Sequence, residues 1–277
     1  MKSKFLLIFL CFYSLIFSQN LKVMTFNIRL SLDSDKENSW ENRKIDALSL
    51  MRYYQPDFFG VQEAVPQQMV DIKNGLNHYG AIGVGRDDGA NKGEYSAIFY
   101  NQEKLKVLKS GTFWLSETPD KPSKGWDAAY NRICTYALFQ MKKGGKKFWA
   151  FNVHFDHVGK EARKNSAKLI LEKIKSFNTR SYPVVLTGDF NLTEDSEPIK
   201  MLSENLNDSY YHSLTKPYGP KGTFTAFDTE KPAKDRIDYI FVKLFKVLNY
   251  RVVNDRRENL LYPSDHFPII SEISFSK

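Results

Sequence analysis

The stretch PVVLTGDFNLT (residues 183–193) constrains the whole chain. Pro183 to Thr187 reads as a strand buried on both faces, because its apolar residues run on without the alternation of a half-exposed strand. A strand with no solvent face needs a packed layer on each side. Gly188 then breaks the run, and Asp189 and Asn191 follow with Phe190 between them. In extended chain, residues i and i+2 share a face. The carboxylate and the carboxamide are therefore expected to look into one space while Phe190 turns into the packing.

The same design recurs along the chain. Strands are expected at LKVMTFNIRL (21–30), DFFGVQEA (57–64), EYSAIFYN (94–101), LKVLKSGTFWLS (105–116), RICTYALFQM (132–141), KKFWAFNVHFD (146–156), DRIDYIFVK (235–243) and IISEISF (269–275). Residues 39–57 are expected to be helical, with Ile45, Leu48 and the stem of Arg52 on one side and Pro56 as the stop. Residues 160–177 carry Ala162, Leu169, Ile170, Lys173 and Ile174 at helical spacing, with charges opposite. Gly144-Gly145 within the lysine run 142–147 marks a hairpin, and lysines at a hairpin tip are ordinary solvated charges. Strand, helix, strand order interrupted by hairpins predicts a layered α/β fold with mixed sheets.

Chain-wide bounds narrow the setting. Lys2 and Lys4 precede an apolar run from Phe5 to Phe17, and Ser18, Gln19 and Asn20 follow, which is the pattern of an export signal. The run is shorter than the roughly 20 residues of a spanning helix; the rival reading is a retained anchor. Cleavage after Ser18 leaves one domain, residues 19–277, in the periplasm or outside the cell, with no membrane insertion of its own. It also lowers the formal charge from +8 to +6 by removing Lys2 and Lys4. A basic surface favours anionic partners, nucleic acid among them, without choosing one. With Cys11 gone, Cys134 stands alone, so stability must come from the core, where Cys134 is expected as a small buried hydrophobe.

Residues able to bind a metal or move a proton collect where the strands run out. Asn27, Glu63, His154 with Asp156, and Asp189 with Asn191 each follow an apolar run; Asp238 lies inside one; Asp265 and His266 precede the last. Singly, Asn and Asp are common turn residues. Asp238, among Ile, Tyr and Phe, needs a partner, and His266 suits it. Together the set meets the needs of phosphate-ester hydrolysis: a water, a group to orient or deprotonate it, and positive charge for the phosphoryl oxygens. Mg2+ asks for only one or two carboxylates and keeps several waters, and a cysteine-poor set argues against structural zinc.

TFNIR (25–29), GVQEA (60–64), NVHFDH (152–157), LTGDFN (186–191), DRIDYIF (235–241) and SDHFPI (264–269) carry a resemblance. Their order and spacing resemble the endonuclease/exonuclease/phosphatase superfamily, the DNase I-like fold, over residues 21–275. The resemblance implies a four-layer α/β/β/α sandwich, two mixed β-sheets packed face to face with flanking helices. It implies a metal site at Asn27, Glu63 and Asp265, for Mg2+ with Mn2+ or Ca2+ as alternatives. It implies catalytic roles for Asp189 on the attacking water, for His266 oriented by Asp238, and for Asn191 and His154 at the phosphate. The division of labour between Asp189 and His266 stays open. GVGRDDG (83–89), GTFWLSETPD (111–120) and GWDAAYNRICT (125–135) resemble a secreted bacterial subgroup.

In those loops Arg86 and Arg132 suit a substrate phosphate. Trp126 suits a sugar or base, Trp114 suits the core, and Asp87 and Asp88 suit a turn. Asp156 is grouped with the substrate contacts. The expected protein is a monomeric hydrolase of a phosphate mono- or diester, with a sugar-linked phosphate slightly ahead of nucleic acid. A sphingomyelinase-type lipid enzyme would want an exposed aromatic hairpin, for which SYYHSL (209–214) is a weak match. A binding module that had lost the chemistry would lack one of Glu63, Asp189, Asn191, Asp238 and His266, and none is missing.

Overall fold

The computed structural model describes residues 20–276. The signal expected over residues 1–18 lies outside them. Twelve strands form two sheets of six among the described residues. The first contains β1 (Asn20–Asn27), β2 (Phe58–Gln62), β3 (Tyr79–Ile82), β4 (Ile98–Asn101), β11 (Phe245–Val252) and β12 (Ile269–Phe275), in the order β11-β12-β1-β2-β4-β3. The second contains β5 (Leu105–Trp114), β6 (Ile133–Met141), β7 (Lys147–His154), β8 (Val184–Asp189), β9 (Asn207–Asp208) and β10 (Asp238–Lys243), in the order β5-β6-β7-β8-β10-β9. Each sheet is antiparallel except at one parallel pair near its centre, β1 with β2 and β7 with β8.

Those parallel pairs need a crossover. Helix α1 (Trp40–Tyr54) joins β1 to β2, and α3 (Lys160–Phe177) joins β7 to β8. Apolar residues of both sheets, including Val23, Phe58, Phe139, Phe148, Val185 and Ile240, meet in one buried layer. A second cluster packs α1 and α2 (Pro66–Gly75) on the outside of the first sheet. A third packs α3 and α4 (Glu197–Asn205) on the outside of the second. This is the expected four-layer sandwich. Among the described residues, no helix is long and apolar enough to cross a membrane.

Polar groups also cross the middle. Asn152 on β7 donates through Nδ2 to the carbonyls of Val61 and Ala97, both at 2.9 Å. Its Oδ1 accepts from Gln62 Nε2 (2.7 Å) and Thr187 Oγ1 (3.0 Å). Gly60 leaves room for this tie, since a Cβ there would lie 2.2 Å from Asn152 Oδ1. A buried polar network of this kind, with all four hydrogen-bonding positions of Asn152 used, favours one arrangement of the two sheets.

Two local expectations change. Ile45 is 69 % exposed; α1 instead buries Trp40, Arg43, Ala47, Leu48, Leu50 and Met51, and Arg52 faces solvent. The buried guanidinium of Arg43 turns the helix this way. It donates to the carbonyls of Arg29 (2.7 Å), Asn38 (2.8 Å) and Pro263 (3.2 Å), and to that of Ile28, so the face carrying it must point to the sheet. Gly188 lies within β8 rather than ending it, and a side chain there would lie 2.4 Å from the Val153 carbonyl. Its lack of a Cβ lets β7 and β8 close at the point where both deliver functional residues.

Candidate active site

In α/β folds, ligands gather beyond the carboxyl ends of parallel strands. Here two such ends meet. Asn27 closes β1, Glu63 follows β2, and His154 and Asp189 close β7 and β8 in register. Asp238 opens β10 directly opposite Asp189, and His266 lies just before β12. They surround a cleft of about 540 Å3 whose lining includes Glu63, His154, Asp189, Asn191, Asp265 and His266.

The two sheets are tied together here. Asn27 Nδ2 donates to Asp189 Oδ2 (2.9 Å) and to Glu63 Oε1 (3.1 Å). His266 Nδ1 donates to Asp238 Oδ2 at 2.9 Å, which turns its Nε2 toward Asp189, 3.8 Å away. Asn191 Nδ2 donates to His154 Nε2 (3.1 Å) and to the Phe155 carbonyl (3.0 Å). Asp189 and Asn191 do look into one space, but not as members of one strand. β8 ends at Asp189, and Asn191 is left-handed (φ 50°), held by its own N–H to Asp189 Oδ1 (2.8 Å). Phe190 is fully buried, as expected. Glu63 is left-handed as well (φ 64°). Such backbone strain in non-glycine residues gathers at functional sites.

Burial and charge set the protonation of the centre. Burial, then the Asp238 carboxylate, push Asp189 up to about 7 against the His266 charge and the Asn191 and Asn27 donors. Burial opposes the imidazolium of His266, but Asp238, Asp189 and Asp265 outweigh it and raise the group well above its ordinary value. His154 is moved the other way, by burial and by the charges of Arg132, Arg86 and His266, and stays neutral.

The donor set suits a hard divalent cation. Ligand atoms of Glu63, His154 and Asp189 lie within 4.8 Å of one another. Glu63 is held by two neutral donors, Asn27 Nδ2 and the Leu30 N–H, each at 3.1 Å. Two carboxylates and one imidazole, with an amide beside them, could hold a divalent cation. Of the three expected ligands, Glu63 is in this group and Asp265 is not; Asp265 stands beside Arg29, 3.9 Å away. Asn27 turns its NH2 to the carboxylates and its Oδ1 to the Arg29 N–H (3.0 Å). Ligation through Oδ1 would require that amide to turn over.

The loop residues separate into two groups. Arg86 and Arg132 line the cleft. Asp156 does not: its carboxylate is enclosed, accepting from the N–H groups of Gly159 (2.8 Å), Val158 (2.9 Å) and Ala129 (3.0 Å) and from Arg132 Nε (3.2 Å). It supports the rim rather than meeting a ligand. Trp126 is half-buried outside the cleft, its N–H on Glu117, while Trp114 is buried and donates to the Arg86 carbonyl at 2.7 Å. Asp88 caps its turn through Ala90 N and Lys92 N. Cys134 is free and fully buried. Sequence reasoning missed Glu94, Tyr130, His157 and Phe224, all of which line the cleft. Tyr130 lay in GWDAAYNRICT, His157 at the end of NVHFDH and Glu94 at the start of EYSAIFYN, but none was singled out; Phe224 lay in no marked segment.

Comparison with known proteins agrees with this geometry. The model of the Endonuclease/Exonuclease/phosphatase family matches residues 24–266. A crystal structure of an endonuclease/exonuclease/phosphatase family protein from Bacteroides thetaiotaomicron is 41 % identical, with a TM-score of 0.89 over 94 % of this chain and 99 % of that one. A mannosyl-6-phosphatase from the same species is 42 % identical, with a TM-score of 0.88 over 92 % and 100 %. The human nocturnin catalytic domain, at 21 % identity and a TM-score of 0.73 over 93 % and 94 %, shares the fold. The chain belongs to the endonuclease/exonuclease/phosphatase family of metal-dependent phosphoesterases.

Proposed function

We propose that the protein is an exported, Mg2+-dependent phosphatase acting on a sugar-linked phosphate ester. The observation that carries the substrate class is the 42 % identity, across nearly the whole of both chains, to a protein described as a mannosyl-6-phosphatase. The apolar, lysine-led stretch before Gln19 supports export.

The geometry supports a role for each residue. The phosphoryl group would bind in the cleft that Glu63, His154, Asp189 and Asn191 line. Glu63, with Asn27 beside it, would hold a divalent cation, which would supply positive charge to the reacting phosphate. Asp189, at the end of β8 opposite Asp238 and lining the cleft, is placed to take the proton of the attacking water. His266, with Nδ1 committed to Asp238, presents a second N–H at Nε2 to the charge that develops on phosphorus-bound oxygen. Asn191, whose amide spans from Phe155 to His154, would turn one N–H from His154 to a phosphoryl oxygen.

The test is a substrate panel assayed with Mg2+ and again after EDTA: hexose 6-phosphates, bis-(p-nitrophenyl) phosphate, plasmid DNA and RNA. The expected result is release of phosphate from a sugar phosphate that stops with EDTA and returns with Mg2+. Cleavage of DNA or RNA with no turnover of any sugar phosphate would replace this reading with a nuclease, which the charge of +8 would suit.

A further inference from the structure

We infer that Arg86, Glu94, Tyr130, Arg132 and His157 form a separate subsite for the hydroxyl-rich ring of the leaving group, on the His154 side of the cleft; this rests on the sugar-phosphate reading above. The two arginines are 8 % and 4 % exposed, and both line the same cleft as Asp189 and His266. Each keeps one donor unmatched: Arg86 Nε and Arg132 Nη1 are buried with no hydrogen-bond partner. A buried guanidinium N–H without an acceptor is costly unless a ligand supplies one.

The surrounding charges identify that ligand. Arg86 Nη1 is paired with Glu94 Oε2 at 2.7 Å, and Arg132 Nε with Asp156 Oδ2 at 3.2 Å. The positive charges are therefore already met, and what the pairs offer is directional donors without net charge. Glu94 adds a carboxylate that accepts from a hydroxyl. It also lies 3.8 Å from His154 Nδ1, which places this subsite against the phosphoryl centre. Donors of a neutralised guanidinium beside a carboxylate acceptor fit neighbouring hydroxyls on a ring. A nucleic-acid backbone would want the reverse, free cations and no acid.

An aromatic wall completes the subsite. Tyr130, 54 % exposed, stands between the Arg86 guanidinium (5.1 Å from the ring centre) and the His157 ring (5.9 Å, tilted 17°). Arg132 Nη2 donates to His157 Nδ1 at 3.1 Å, closing the circle of contacts. The wall is held before any ligand arrives. Asp156 gathers the N–H groups of Ala129, Val158 and Gly159, and so joins the loop bearing Tyr130 to the loop bearing His157. Asp127, next to that loop, caps α3 through the Ala162 N–H at 2.7 Å.

The experiment compares kcat/KM for a hexose 6-phosphate with kcat/KM for methyl phosphate, which undergoes the same hydrolysis without the ring. It uses the wild-type protein with Mg2+ and two variants, Glu94→Gln and Tyr130→Ala. Taking the ratio of the two substrates cancels any loss they share. Each variant is expected to lower that ratio at least about tenfold, on the scale by which a polar site distinguishes a substrate bearing its hydroxyl from one lacking it. Inhibition by the free hexose product should weaken in parallel. Ratios within about twofold of wild type in both variants would overturn the subsite while leaving the sugar phosphatase standing. A wild-type protein that turns over other phosphate esters but no hexose phosphate would overturn both.

Discussion

The floor and the rim of the cleft are built on different principles. The floor is made of strand ends. Asn27 and Glu63 come from the first sheet, His154, Asp189 and Asp238 from the second, and the contacts that matter cross between sheets, Asn27 to Asp189 and His266 to Asp238. Beneath them the Asn152 tie sets the spacing of the two sheets. The rim is made of loops, 83–95, 125–132 and 156–159, held by Asp88, Asp127 and Asp156 through backbone N–H groups. On the proposed function, chemistry that tolerates little displacement would rest on elements that cannot move singly, and substrate choice on segments that can vary without disturbing it.

This contrast predicts effects of different kinds. Substitutions in the floor should lower turnover on every ester alike. Asp189→Asn and His266→Ala are each expected to reduce kcat at least about 100-fold on hexose phosphate and on methyl phosphate, the usual scale for proton transfer and charge stabilisation. Steady-state rates with saturating Mg2+ measure it. A fall of less than about tenfold, or one confined to a single substrate, would break the division by showing that the strand ends do not carry the chemistry.

The rim should answer first in stability. Burial alone would push the Asp156 carboxyl up, but the N–H groups of Gly159, Val158 and Ala129 and the Arg132 charge outweigh it and hold it far below the usual carboxylate range. A depressed folded-state affinity for protons stabilises the fold above the unfolded carboxyl value, near about 3.9, and the benefit disappears as pH falls toward the folded value. Asp156→Asn leaves Arg132 buried without its partner, at a cost of roughly 3 kcal/mol. Urea unfolding at pH 7 should show that loss, and the gap between variant and wild type should narrow below about pH 4. A gap that stays constant with pH would mean the carboxylate charge is not what holds the rim.

The same contrast explains what the sequence disclosed. A strand buried on both faces has to read as an apolar run, and a polar residue at its end has to interrupt that run. Asn27, Glu63, His154, Asp189 and Asp238 were visible for that reason, and the bounds expected for α3 and β12 are those observed. Rim residues obey no such period. Glu94 and Tyr130 become neighbours through Arg86, which lies on a third segment, and no spacing along the chain announces that. Ile45 was misplaced because helical periodicity counts apolar residues and could not foresee a buried Arg43 serving the carbonyls after β1. The short helix α2 went unmarked although Pro66 in its first turn and Gln68, whose Oε1 accepts from the Val65 N–H at 3.1 Å, are start signals. The left-handed turn at Asn191 was hidden because Asn populates it only when its surroundings require it.

The smallest expected effect lies outside both regions. The lysine run between β6 and β7 turns at Gly144 and Gly145, whose φ values of 79° and 68° suit only glycine without strain, and its tip is exposed. β7 leaves that tip at Lys147 and reaches the cleft at His154, so the tip is about 23 Å from the chemistry at the usual rise of a strand. That exceeds twice the screening length of about 8 Å at physiological salt. Reversing charge at Lys142 and Lys143 to Glu should therefore leave kcat/KM on a small phosphate ester within about twofold of wild type at that salt. A nucleic-acid substrate would answer differently, because a polymer lying in the cleft can also reach the tip. A drop of tenfold or more on DNA or RNA, steeper at low salt, would make the hairpin part of the binding surface and turn the two-region comparison into one of three.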